Sequence, residues 1–201
     1  MFGLGDIILI SWAVYLFYWI INWKKVKPSK EKKFDLARYR ALGIIFVIVI
    51  IVVSKKFNLL ASCRASSSGC IYSNIFSPQH ALFALQLIGV LLTVTGVVIA
   101  VLARRTLADN WSNTVELKKG HELVTKGVYG YVRHPIYLGI WLMALGTVMY
   151  VQSVIVFLIF LFLFGVFALR IGEEEKLMTQ TFPKEYPEYK KRVKTIIPFI
   201  W

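Results

Sequence analysis

Two short stretches of this 201-residue sequence gather side chains that can bind charge: Tyr131-Val-Arg133-His134-Pro135-Ile136-Tyr137-Leu-Gly139 and Arg170-Ile-Gly-Glu173-Glu174-Glu175. Arg170 and Glu174 are four apart, so a continuous helix puts them on one face. Glu173 and Glu175 then point to either side of it. Three consecutive acids at the end of an apolar run, in otherwise basic surroundings, make a negative site for a cation. Ionisable groups beside hydrocarbon are functional candidates by default; the bland alternative is a solvated ion pair of small worth. Pro135 suits the first turn of a helix, where a missing N–H costs nothing. Arg133 and His134 would sit just before it, and taken alone they also read as a basic anchor beside an interfacial tyrosine. Gly127 and Gly130 are turn residues in the simplest reading.

Other chemistries find no support. His121 and His134 are 13 apart with no Cys or Asp at ligand spacing, and no H-E-x-x-H occurs, so no metal centre is expected. There is no G-x-S-x-G nucleophile elbow, and Gly3-Leu-Gly5 opens an apolar run without a preceding strand, which excludes a dinucleotide fingerprint. Cys63 and Cys70 lie in a Ser-rich loop and leave a disulfide and two free thiols equally open.

The elements that must position these residues are set by hydrophobicity. The chain is 57% hydrophobic and 17% charged, with a mean hydropathy of +0.62. Soluble domains have about 45–50% apolar and about 25% charged residues, so a soluble enzyme is excluded. A crossing needs roughly 20 apolar residues. Leu4 to Trp23, about Leu36 to Val53, and Ala81 to Ala103 qualify. Ile136 to Leu169 has no charge over 34 positions. As one helix it would run about 50 Å, too long for a single crossing. Gln152 and Ser153 divide it into a helical hairpin. The prediction is an all-α integral membrane protein with five transmembrane helices, the last two paired as that hairpin.

Of 24 Lys and Arg, 21 fall in loops 24–40 and 104–134 and the tail 170–201, and three in 54–79. The positive-inside bias then puts the N-terminus outside and the C-terminus in the cytoplasm. The net charge of +13 is accounted for by topology and anionic lipid, with no nucleic acid as partner. The first span lacks a basic start and a cleavage site and is kept as mature structure. Residues 1–103 read as three spans, and 104–201 as the half that carries chemistry. Tyr186, Tyr189 and Val193, ringed by Lys190, Lys191, Arg192 and Lys194, predict a short C-terminal interfacial helix that caps the site or anchors the tail.

The run His121-Glu122-Leu123-Val124-Thr-Lys-Gly127-Val-Tyr129-Gly-Tyr-Val-Arg133-His134-Pro135-Ile136-Tyr137-Leu-Gly139, followed by Arg170-Ile-Gly-Glu-Glu174-Glu175 and Phe182-x-x-x-Tyr186-x-x-Tyr189, resembles the isoprenylcysteine carboxyl methyltransferase family. Integral-membrane phospholipid N-methyltransferases share much of the pattern, which covers roughly residues 104–201. The resemblance implies methyl transfer from S-adenosylmethionine to a lipid-borne acceptor. It places the cofactor against His121, Glu122, Leu123, Val124, Tyr129, His134, Pro135, Ile136, Tyr137 and Glu174, with Arg170 on the substrate. Thr114 stands where the eukaryotic enzymes have a glutamine, and Pro183 where a glycine is frequent.

The residue types suit that assignment. The cofactor carries an ammonium, a carboxylate and an adenine, which call for an anion, polar donors and an apolar bed; Glu174, the 121–124 backbone with His134, and Leu123, Tyr129 and Tyr137 can supply them. Arg170 and Glu174 are the expected catalytic pair. A prenylcysteine carboxylate is already ionised at pH 7 and needs no general base, and the Arg170 fork matches it. The alternatives are ethanolamine phospholipid N-methylation, whose protonated amine Arg170 would repel, and a sterol-reductase-like oxidoreductase, which would need more basic residues than the Glu173–Glu175 cluster allows. A cytoplasm-facing site in a prokaryotic plasma membrane is favoured over the endoplasmic reticulum by the small size.

Overall fold

The computed structural model describes residues 3–22, 29–32, 79–108, 116–118, 123–152 and 154–197. The second expected span, Cys63 and Cys70, Thr114, and His121 and Glu122 lie outside the described residues. Contacts gather 1–32 with 84–201 into one unit and 33–83 into another, and the architecture that follows belongs to the first.

Helices dominate: α1 (Leu4–Asn22), α2 (Gln79–Leu107), α3 (Pro135–Val151), α4 (Val154–Thr181) and α5 (Glu185–Arg192). α1, Phe83–Leu107 of α2 and Val156–Thr181 of α4 are long and apolar enough to cross a membrane, whereas α3 is apolar but has 17 residues. Their outward side chains suit lipid, since Leu9, Phe17 and Ile20 of α1, Leu91 and Val98 of α2, and Leu158 and Leu161 of α4 are all exposed. One feature departs from the all-helical expectation: β1 (Ser29–Lys32) and β2 (Glu116–Lys118) form a two-stranded antiparallel ribbon with an irregularity between Ser29 and Glu31.

The divided apolar stretch separates where its polar residues fall. Gln152 ends α3 in the left-handed conformation (φ 52°), its N–H bonded to the Val148 carbonyl at 2.8 Å, and α4 begins two residues later. α3 and α4 then lie against each other, with Trp141 stacked on Phe164 at 4.1 Å and Tyr137 leaning on Phe167 at 5.2 Å. α1 is pinned to α3 by a hydrogen bond from Trp12 Nε1 to Thr147 Oγ1 (3.1 Å).

α2 and α3 meet backbone to backbone. A Cβ on Gly96 would lie 2.5 Å from the Gly139 carbonyl oxygen, and one on Gly139 would lie 2.6 Å from that of Gly96. Seven residues away on each helix the contact repeats between Gly89 and Gly146, with the buried Thr93 hydroxyl bonded to the Gly89 carbonyl between the two crossings. Where lipid removes the hydrophobic incentive for helices to associate, small residues that admit close backbone approach carry the packing. Gly139→Val is expected to force the helices apart and lower the midpoint of thermal unfolding in detergent by several degrees, at a cost of about 1–3 kcal/mol for overpacking. An unchanged midpoint would contradict this packing.

Candidate active site

The site is built where α3 starts and α4 leaves its apolar stretch. Pro135 is the first residue of α3, with His134 immediately before it. α4 runs unbroken through Arg170, Glu174 and Glu175, so the four-residue spacing becomes a contact: Arg170 Nε donates to Glu174 Oε1 at 3.1 Å. The same oxygen accepts a 2.5 Å hydrogen bond from the Tyr137 phenol, one turn into α3. The other carboxylate oxygen lies 3.6 Å from His134 Nδ1. The imidazole stacks on Tyr137 with centroids 5.8 Å apart. Glu174 therefore sits between a guanidinium, a phenol and an imidazole, with the start of α3 facing the polar end of α4.

His134 is 9% exposed, and its Nε2, 3.5 Å from Glu175 Oε1, makes no hydrogen bond. Burial favours the neutral ring, but the two carboxylates beside it, Glu174 and Glu175, outweigh it and hold the pKa above the ordinary 6.5. A base whose pKa is raised on folding contributes stability that is complete below the unfolded value and lost as pH rises through the folded one. The unfolding midpoint of the wild type is thus expected to fall as pH climbs above 6.5, with a smaller fall in His134→Gln. Parallel curves for the two proteins would refute this coupling.

Tyr129 is buried in a short 3-10 turn, Gly127–Gly130, that starts with Gly127 at φ +59°, and its carbonyl accepts a 2.6 Å hydrogen bond from the Tyr189 phenol. Burial, and after it the charge of Glu174, pushes the Tyr129 phenol well above its usual pKa, so it stays protonated. Leu123 packs with Met178 and Phe182 on a cluster of Tyr186, Tyr189 and Val193. The tail helix α5 is thus present, but its apolar stripe is turned onto the protein rather than outward to lipid. Beside it a groove of about 670 Å³, lined by Leu123, Thr125, Phe182, Tyr189 and charged residues of α5, takes in one expected cofactor contact but neither His134 nor Glu174. Pro135 is buried, and Val124 and Ile136 are half-buried. Among the described residues no three His, Cys, Asp or Glu side chains are placed to hold a metal ion.

Sequence reasoning missed the partners of Glu175. Arg133, read as an interfacial anchor, is 9% exposed and reaches Glu175 Oε1 from Nε (2.8 Å) and Nη2 (2.6 Å), while Lys190 Nζ meets Oε2 at 2.7 Å. The signal available was its adjacency: Arg133 precedes His134 as Glu175 follows Glu174.

These observations define a protein of apolar helices that keeps a carboxylate, an imidazole, a phenol and a guanidinium together at one end of its membrane-length segments. Comparison with known proteins narrows the class. The family model for isoprenylcysteine carboxyl methyltransferases matches residues 85–180. The chain is 36% identical over 141 residues to the protein-S-isoprenylcysteine O-methyltransferase of Saccharomyces cerevisiae (65% of this chain, 59% of the relative) and 37% over 131 residues to that of Homo sapiens (63% and 46%). It is 30% identical over 153 residues to a probable protein-S-isoprenylcysteine O-methyltransferase of Oryza sativa subsp. indica, covering 75% of this chain and 80% of that one. The chain belongs to the isoprenylcysteine carboxyl methyltransferase family. It spans about half the length of the yeast and human relatives.

Proposed function

We propose that this protein is an integral-membrane methyltransferase that uses S-adenosylmethionine to esterify the carboxylate of a prenylcysteine-like, lipid-borne acceptor. The observation that carries this reading is the meeting of Arg170, Glu174, Tyr137 and His134 at one end of the apolar helices. The donor set fits the cofactor. Glu174 is an anion for its ammonium, His134 is buried with an Nε2 that has no hydrogen bond of its own, and Tyr129, Tyr137 and Leu123 offer aromatic and apolar surface. When bound, the cofactor supplies an electrophilic methyl group. The chain's own share is to hold the acceptor carboxylate with the Arg170 fork, orient the reactants and keep water out, which needs no general base. Arg170 would repel a protonated ethanolamine headgroup, which favours the carboxylate over phospholipid N-methylation.

In this reading the bilayer is crossed five times, with α3 and α4 as the last two spans and the site on the cytoplasmic side of a prokaryotic plasma membrane. The basic residues of 24–40, 104–134 and 170–201 support that orientation. The test offers purified protein labelled S-adenosylmethionine with N-acetyl-S-farnesylcysteine in one arm and phosphatidylethanolamine vesicles in the other. Base-labile label on the farnesylcysteine alone is the expected result. Label only on the phospholipid, or none on either, overturns the assignment.

A further inference from the structure

Glu175 and Arg133 take no part in the chemistry proposed above, yet they are among the most heavily bonded side chains described. All five guanidinium bonds end on fixed acceptors: two on Glu175 Oε1, one on the Thr195 hydroxyl (2.8 Å), one on the Lys190 carbonyl (3.4 Å) and a short one on the Val193 carbonyl. The main chain follows suit. Val132 and Lys194 form a parallel bridge, the Arg133 N–H donates to the Lys194 carbonyl (2.8 Å), and the His134 N–H donates to that of Thr195 (3.0 Å). Ile196 is fully buried against Trp141 of α3 and Ile171 of α4.

We propose that Arg133 and Glu175 are positioning residues: they latch residues 193–196 alongside 132–134 and so set the register in which His134 meets Glu174. The two pairs are offset by one residue on each chain segment, so whatever shifts Arg133 against Glu175 shifts His134 against Glu174. A buried ion pair adds little net stability but does fix geometry, and a misplacement of about 1 Å can cost about 10²-fold in rate. Lysine cannot replace the arrangement, because a single ammonium has three donors and no planar fork. This inference rests on the methyltransferase reading for its kinetic consequence and on the contacts alone for the latch.

The test uses the full chain in detergent, with Glu175→Gln, Arg133→Lys and the milder Thr195→Val. Amide hydrogen exchange at 193–196 is expected to quicken at least about tenfold in the first two variants, with the middle of α3 unaffected. With donor saturating, kcat for farnesylcysteine methylation is expected to fall about 10–100-fold while acceptor KM stays within about threefold. The double variant should be little worse than either single one. Unchanged exchange overturns the latch; quickened exchange with unchanged kcat, or a KM rise at constant kcat, overturns the positioning role. If the wild type transfers no methyl group, the functional reading fails, and exchange at 193–196 still decides the latch by itself.

Discussion

If the proposed donor site is right, Glu174→Gln is expected to remove most of the affinity for S-adenosylmethionine. The amide keeps the size of the carboxylate but not its charge, and Glu174 is the anion that Arg170, Tyr137 and His134 share. Hydrogen bonds to a charged group contribute about 1.5–3 kcal/mol, which corresponds to about 10–150-fold in Kd. Titration with S-adenosylhomocysteine in detergent reads it directly, because that product keeps the ammonium and lacks the sulfonium. A Kd within about threefold of wild type would remove Glu174 from the donor site. Tyr137→Phe, which takes away one partner of Glu174 and leaves its charge, is the milder companion.

Arg170→Ala should strike the other reactant. Truncating one member of a half-buried, hydrogen-bonded charge pair falls at the lower end of the about 2–5 kcal/mol seen for buried pairs, so kcat/KM for farnesylcysteine is expected to fall by about 30-fold or more, with a rise in acceptor KM. Arg170 also donates to Glu174. The two roles separate by comparing substrates: an acceptor role lowers kcat/KM far more than it weakens donor binding. Equal losses would make Arg170 a support for Glu174, and unaltered acceptor kinetics would remove it from the site.

Local periodicity accounts for what could be read from the sequence. The i,i+4 relation of Arg170 and Glu174, the proline that starts α3, the break at Gln152 and the short tail helix each depend on residues within one or two turns, and each is present. The parallel bridge between Val132 and Lys194 joins positions 62 residues apart and leaves no local pattern, so Arg133 read as an anchor when it is a buried tie. The stripe Tyr186, Tyr189, Val193 gave an amphipathic helix correctly, but periodicity does not say whether lipid or protein covers the apolar side; Leu123, Met178 and Phe182 do. The glycines of α2 and α3 went unremarked because each is silent alone. Their matching seven-residue spacing on two apolar helices was the available sign.

The glycine contacts also bear on how this end of the molecule can move. With main chain lying on main chain at both crossings, neither α2 nor α3 can turn about its long axis without driving a carbonyl oxygen into its neighbour. The two act as a single plank. If the proposed reading holds, breathing that admits an acceptor to Arg170 is expected from elements other than this pair.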